Sequence, residues 1–330
     1  MKEILQYLFD GNFLPTEKAE EVLTNIGRDH YSEVEISSFL TVFLMRPITA
    51  EELKGFRNAL LKLAVRIDLS DFNTIDVCGT GGDEKNTFNI STLTAFVLAG
   101  AGLKVAKHGN YGVSSSCGSS NLLEYFGYKF SNEESKLKTE IDTTGITFLH
   151  APLFHPAMKY VAPVRRTLKV KTFFNKLGPM VNPSMPQNQM VGVYDLNVLE
   201  LYKKVYANSE VNYTILHALD GYDEISLTGN VAYASNHSEG KLNPVDFGFA
   251  PLQPAELHGG NSVEEAAEIF KRVLQNKATT AQKNAVLANA ALGIKTAHPK
   301  KELSACVEIV KESVDSGKAL NTFEKLINSQ

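Results

Sequence analysis

A run of glycines and short polar side chains, Cys78-Gly79-Thr80-Gly81-Gly82-Asp83-Glu84-Lys85-Asn86-Thr87-Phe88-Asn89-Ile90-Ser91-Thr92, lies between a strand-like segment and a helix-like one. Glycine permits backbone angles and close approaches that other residues resist, so peptide N–H groups can face an anion there. Asn89, Ser91 and Thr92 add side-chain donors at the start of the following helix. The pattern suits a phosphate cradle. It lacks the lysine of a P-loop, and its spacing does not match G-x-G-x-x-G, which disfavours a nucleoside triphosphatase or a dinucleotide site. Taken alone, it would suit a ligand-free turn about as well.

A second loop, Lys107-His108-Gly109-Asn110-Tyr111-Gly112-Val113-Ser114-Ser115-Ser116-Cys117-Gly118-Ser119-Ser120, follows the apolar run LKVAKH. Loops after successive parallel strands open on one edge of a sheet, so the two loops are placed to share a ligand. Lys107 offers a point charge, and the Ser/Gly run offers hydroxyls and amides. Alone, it is a polar surface loop. A third feature is Asp220-Gly221-Tyr222-Asp223-Glu224-Ile225-Ser226. One carboxylate of an adjacent pair can bind a hard cation directly while the other acts through water or a second ion, the usual way to hold Mg²⁺ beside phosphate oxygens. Alone, it is a solvated turn. A fourth comprises His155-Pro156, Pro163-Val164-Arg165-Arg166 and Asn175-Lys176-Leu177-Gly178-Pro179-Met180-Val181-Asn182-Pro183. Arginine presents a planar fork that matches a carboxylate. Spacing does not decide which of the two arginines faces a cleft, and His155 reads equally well as a helix-start residue.

The surrounding segments set how these residues are positioned. Residues 1 to about 70 carry Leu, Ile, Phe, Glu and Lys at helical spacing with only three glycines, and Thr49 with Glu52 forms a capping-box sequence. From Thr74 onward apolar runs alternate with helix patterns, which argues for βαβ units on a mainly parallel sheet. Strands are expected at TIDVC, LKVAKH, ITFLHA, 190–194, 213–218 and 231–235. Helices are expected at 198–207, 263–275, 280–292 and 301–316. Between 152 and 186 the strand signal vanishes in a basic stretch broken by prolines, expected to cross between two lobes.

The 330 residues carry a net charge of -4, so no whole-chain attraction to nucleic acid or an anionic membrane is expected. Residues 104–176, however, hold eleven Lys plus Arg against five Asp plus Glu, a local +6 expected to lie along the anion-binding loops. Three scattered cysteines exclude a disulfide framework or a zinc cluster, and the N-terminus shows no secretory pattern. The longest apolar segment, about 93–105, is too short to span a bilayer. A cytoplasmic protein is expected.

GTGGD with NIST, KHGN, the 155–165 segment, NKLGP with its following NP, and DGYDE, in this order, resemble the anthranilate phosphoribosyltransferase family of the nucleoside phosphorylase/phosphoribosyltransferase class over essentially the full length. The resemblance implies transfer of phosphoribose from 5-phosphoribosyl-1-diphosphate to the amine of anthranilate, releasing pyrophosphate, in tryptophan biosynthesis and with Mg²⁺. It implies that Gly79, Gly82, Asp83, Thr87, Asn89, Ile90, Ser91, Thr92, Lys107, His108, Gly109, Asn110, Ser114, Ser115 and Ser119 hold the diphosphate substrate. Ser91, Asp223 and Glu224 would bind the metal. Anthranilate would lie near Gly79, His108, Asn110, His155 and Gly178, with its carboxylate facing Arg165; no dedicated acid or base is implied.

The implied fold is α/β: a small all-helical N-terminal lobe, residues 1–70 joined by about 163–185, packed on a larger α/β lobe, 71–330, with a mainly parallel central sheet. A homodimer through the helical lobe is implied, with no nucleic-acid or membrane partner. Many members carry Arg where this chain has Tyr111 and Lys where it has Ser116, so weaker diphosphate binding is expected. A pyrimidine nucleoside phosphorylase shares the glycine loops but is longer and would not use the Asp-Glu pair. A non-enzymatic nucleic-acid-binding relative conflicts with the pI near 6.1.

Overall fold

The computed structural model describes residues 1–112 and 117–329. They divide into two units: Met1–Arg66 with Pro152–Pro183, and Ile67–Ala151 with Ser184–Gln330.

The first unit is helical, with helices Lys2–Phe9, Thr16–Ile26, Glu33–Met45 and Ala50–Leu63. Ser32 and Thr49 cap the last two through complete capping boxes with Glu35 and Glu52. Glu52 is fully buried and does more than cap. Its carboxylate also accepts from Leu14 N–H at 3.0 Å and from both terminal nitrogens of Arg46 at 2.6 and 2.9 Å. Glu52→Gln is expected to cost about 2 kcal/mol, the scale of hydrogen bonds to a charged group, and to lower the denaturation midpoint of the protein.

Residues 152–183 return to these helices. Phe173 stacks on Phe56 with ring centres 4.4 Å apart, edge-on to Phe39 and Phe43, and Arg57 Nε donates to the Met180 carbonyl. Burial of such rings is worth roughly 2–3 kcal/mol each, enough to hold a proline-broken segment that has no ladder of its own. The segment contains the short helix Ala162–Leu168, bearing Arg165, and the 3-10 turns Phe173–Lys176 and Gly178–Val181.

The second unit is built on a seven-stranded sheet: β1 Ile75–Gly79, β2 Val105–Gly109, β3 Ile146–His150, β4 Asn188–Gly192, β5 Asn212–Ala218, β6 Val231–Ser235 and β7 Glu239–Leu242. Its order is β3-β2-β1-β4-β5-β6-β7. The first five strands are parallel, and β6 and β7 add an antiparallel edge. β4 begins two residues before the expected 190. Asn188 and Gln189 look like loop residues in sequence, but their amides are buried in hydrogen bonds to Asn73, Thr74 and Tyr206. β7 was not expected, because EGKL has one half-buried residue and no alternation to reveal it.

Helices Glu134–Thr144 and Lys318–Asn328 were likewise not expected. The first corrects the charge reading. Lys136 and Lys138 of the basic stretch pair along it with Glu140 and Glu134, and Lys104 donates to the Ile141 and Asp142 carbonyls. Residues 104–142 in fact sum to zero, five basic against five acidic, so the whole +6 comes from the six basic residues of 159–176, in the first unit and not on the loops that follow the parallel strands.

Candidate active site

The strand order reverses direction at β1, whose neighbours are β2 on one side and β4 on the other. In parallel sheets the crevice beyond the strand C-termini at such a point is where ligands bind. Here the β1 end is tied to β4 by Thr80 N–H donating to the Gly192 carbonyl at 2.9 Å. The loop after β5, residues 219–230, folds back over this same place.

Two glycines make the seat. A Cβ on Gly79 would collide with the Asp223 carboxylate, and one on Gly192 with the Asp223 carbonyl oxygen. Asp223 Oδ2 accepts from Gly81 N–H at 2.7 Å, and Glu224 Oε1 accepts from Ser91 N–H at 2.9 Å in the first turn of the helix Ile90–Gly100. Gly81 and Gly82 reach these positions at φ of +63° and +79°. The chain's own carboxylates thus use amides of the glycine loop and of the helix start, which demonstrates that these groups face an anion.

Burial raises both acids: Asp223 is pushed up to about 7, with Asp83 adding to the effect, and Glu224 well above its ordinary value, with Asp223 and Asp83 adding. The charge of Asp223 adds to the cost of ionising Glu224, a cost that a bound cation would offset. The donor set is oxygen only, which suits a hard divalent ion. Among the described residues no group of three or more His, Cys, Asp or Glu is arranged to hold a metal ion. The ion would therefore draw further oxygens from a ligand, such as phosphate.

Lys107 is 2% exposed, with its ammonium bonded to the Val77 carbonyl and Ser91 Oγ, so its charge reaches the crevice across Ser91 and helps hold Glu224 ionised. His108 is buried, its N–H donating to Asp76. Ile90 and Thr92 are buried as well, and the Ile90 N–H donates to the Phe88 carbonyl at 2.6 Å. Asn89 Nδ2 donates to the Cys117 carbonyl at 2.9 Å, joining the loops after β1 and β2. Asn110 is exposed, and its carbonyl accepts from Ser119 Oγ, which packs where a Cβ on Gly109 would stand. Thr87 bridges to His258, anchoring the far end of the glycine loop. Ser114, Ser115 and Ser116 lie outside the described residues. Tyr111 OH donates to Glu124 at 2.7 Å.

Two residues with a clear role in this arrangement were not foreseen. One is Gly192. The other is Asn289, 2% exposed in the helix Thr280–Ala297, whose amide bonds both the N–H and the carbonyl of Ile225, next to Glu224. A lone Asn inside the run AVLANAALGI was the available signal. Burial pushes the Cys78 thiol up to about 12, away from the thiolate form that a nucleophile needs.

The remaining sequence-derived residues belong to the first unit. Arg165 is half-buried and Arg166 exposed. Arg165 Nη2 donates to Asn175 Oδ1 at 3.3 Å, and its guanidinium lies 5.4 Å from the Phe174 ring centre. Burial lowers its pKa. His155 is buried, which holds its imidazole at about 4 and hence neutral at physiological pH. Gly178 is exposed, and a Cβ there would meet nothing within 4 Å, so packing within the chain does not call for glycine.

Residues 71–320 match the family described as "Glycosyl transferase family, a/b domain", and residues 2–64 match "Glycosyl transferase family, helical bundle domain". The chain is 57% identical over 326 residues to an anthranilate phosphoribosyltransferase of Flavobacterium johnsoniae, covering 99% of this chain and 98% of that protein. It is 48% identical to one of Bacteroides thetaiotaomicron, with the same coverage. The crystal structure of the Thermus thermophilus enzyme superposes with a TM-score of 0.91 at 30% identity over 98% of both chains. The Saccharomyces cerevisiae enzyme in complex with PRPP and Mg gives 0.91 at 27% identity, over 99% of this chain and 97% of that one. With both family segments matched and this identity sustained from end to end, the chain belongs to the anthranilate phosphoribosyltransferase family.

Proposed function

We propose that this chain transfers the 5-phosphoribosyl group of 5-phosphoribosyl-1-diphosphate to the amine of anthranilate, giving N-(5-phosphoribosyl)anthranilate and pyrophosphate, in tryptophan biosynthesis. The observation that carries this reading is the seating of Asp223 and Glu224 on amides of Gly81 and Ser91, an acidic pair held where phosphate-binding donors converge. The names of the full-length relatives support the same substrates.

In this reading the diphosphate substrate lies along Gly79, Gly82, Asp83, Thr87 and residues 89–92, and along residues 107–110, Ser114, Ser115 and Ser119. Ser91, Asp223 and Glu224 hold Mg²⁺, which when bound neutralises charge on the pyrophosphate leaving group. In the first unit Arg165, kept in place by Asn175, is read as taking the anthranilate carboxylate, with His155 and Gly178 as further anthranilate residues; in the second unit Gly79, His108 and Asn110 are read as anthranilate residues. The bond from C1 to the pyrophosphate oxygen breaks with its electron pair leaving on oxygen. The anthranilate nitrogen forms the new bond to C1 and releases one proton to solvent. An aromatic amine is already unprotonated at neutral pH, so no general base is required, and positioning supplies much of the acceleration. The raised Cys78 thiol and the neutral His155 fit a displacement with no covalent enzyme intermediate.

The chain is further read as a homodimer joined through its helical unit, supported by the exposed Phe9, Phe13, Leu44 and Met45, and as cytoplasmic, supported by its three free cysteines. No helix of the described residues is long and apolar enough to cross a membrane. The test of function is anthranilate fluorescence: it falls on adding 5-phosphoribosyl-1-diphosphate and Mg²⁺ to the protein, and a constant signal overturns the assignment.

A further inference from the structure

The loops that would meet an anionic diphosphate, residues 80–89, 110–118 and 219–230, contain five carboxylates, Asp83, Glu84, Asp220, Asp223 and Glu224, and a single basic side chain, Lys85. Lys107, at the end of β2, is buried and already engaged with Val77 and Ser91. Lys85 is exposed, and its backbone N–H donates to Asp83 Oδ1 at 3.2 Å, which fixes the residue just past the glycine turn. Its side chain crosses from the β1 loop to the β5 loop. A Cβ built on Gly221 would stand 3.3 Å from Lys85 Cε, and Nζ lies 4.8 Å from the centre of the Tyr222 ring, next to Asp223. The ammonium makes no ion pair among the described residues, and burial, followed by the charges of Asp220 and Asp83, raises the Tyr222 phenol. A lysine resting on a ring face is held weakly, whereas a phosphate oxygen offers a charge-assisted hydrogen bond.

We propose that Lys85 is the cation that receives the pyrophosphate end of 5-phosphoribosyl-1-diphosphate, leaving the face of Tyr222 for a phosphate oxygen as the substrate binds. This rests on the transfer reaction proposed above. As the C1–O bond breaks, its electron pair goes to the pyrophosphate. The Lys85 ammonium donates a hydrogen bond whose strength grows with that charge, so it favours the transition state over the bound substrate. The side chain is long enough to change partners while Asp83 keeps its backbone in place.

Lys85→Met separates charge from packing, because the thioether stem still covers Tyr222, and Lys85→Arg restores the charge. Calorimetric titration of each Mg²⁺-loaded protein with pyrophosphate is expected to show binding weakened about tenfold in Lys85→Met and near wild type in Lys85→Arg. In steady-state kinetics the KM for the diphosphate substrate rises about as much and kcat falls, while the KM for anthranilate stays within about twofold and the melting temperature is unchanged. Pyrophosphate affinity unchanged in Lys85→Met, or an equal rise in the KM for anthranilate, overturns the proposal. A wild-type protein that leaves anthranilate fluorescence constant overturns the transfer reading instead, and the calorimetric comparison still decides the role of Lys85.

Discussion

Exchanging Asp223 for Asn and Glu224 for Gln together lowers turnover roughly a thousandfold and raises the Mg²⁺ concentration for half-maximal rate by about tenfold or more. The two amides keep the size and the acceptor oxygens that Gly81 and Ser91 need, but they remove both negative charges from the place where the cation would be held. Loss of function through unfolding would look different. In the metal-free protein these carboxylates are desolvated and lie beside Asp83, so removing their charge relieves repulsion. The double variant is therefore expected to melt at a higher temperature than wild type without metal, and to gain less from added Mg²⁺ and diphosphate substrate, since ligands stabilise only the state they bind. An unchanged Mg²⁺ requirement would remove both residues from the metal site.

The same pair illustrates how much of the site was legible in the sequence. GTGGD with NIST, KHGN and DGYDE are each continuous, so the residues of one loop announce themselves by type and spacing. The strand and helix alternation likewise located the parallel strands that bring the loops to one sheet edge. What spacing did not reveal depends on contacts between residues far apart in the chain. Gly192 is ordinary within MVGVY until the Asp223 carbonyl is seen to occupy the space of its missing Cβ. Asn289 looked like a polar interruption in an alanine-rich helix, yet it fixes the backbone beside Glu224 from 64 positions away. Lys107 offered a point charge, and only the closeness of Val77 and Ser91 shows that it is buried beneath the loop. The return of residues 152–183 to the helical unit rests on Phe173 meeting Phe56, a contact with no local signature.

Of the two consecutive arginines, Arg165 is the one whose replacement should strike anthranilate selectively. Arg165→Lys is expected to raise the KM for anthranilate roughly 10- to 100-fold, the value of one hydrogen bond to a charged group, while the KM for 5-phosphoribosyl-1-diphosphate changes little. Lysine keeps the positive charge but loses the planar fork, so it cannot hold both carboxylate oxygens and the Asn175 amide oxygen at once. Arg165 is suited to an incoming carboxylate because it is half-buried and makes no ion pair among the described residues, leaving Asn175 and the Phe174 ring to fix its plane. Arg166, exposed to solvent, provides the contrast: Arg166→Lys should leave both constants within about twofold, since exposed charges contribute little. Asn175→Ala should move the KM for anthranilate in the same direction as Arg165→Lys but less, because it loosens the guanidinium without removing it. Initial rates measured by anthranilate fluorescence at fixed saturating diphosphate substrate and Mg²⁺ give the KM for anthranilate. An Arg165→Lys variant that loses both substrates equally would contradict its assignment to the carboxylate.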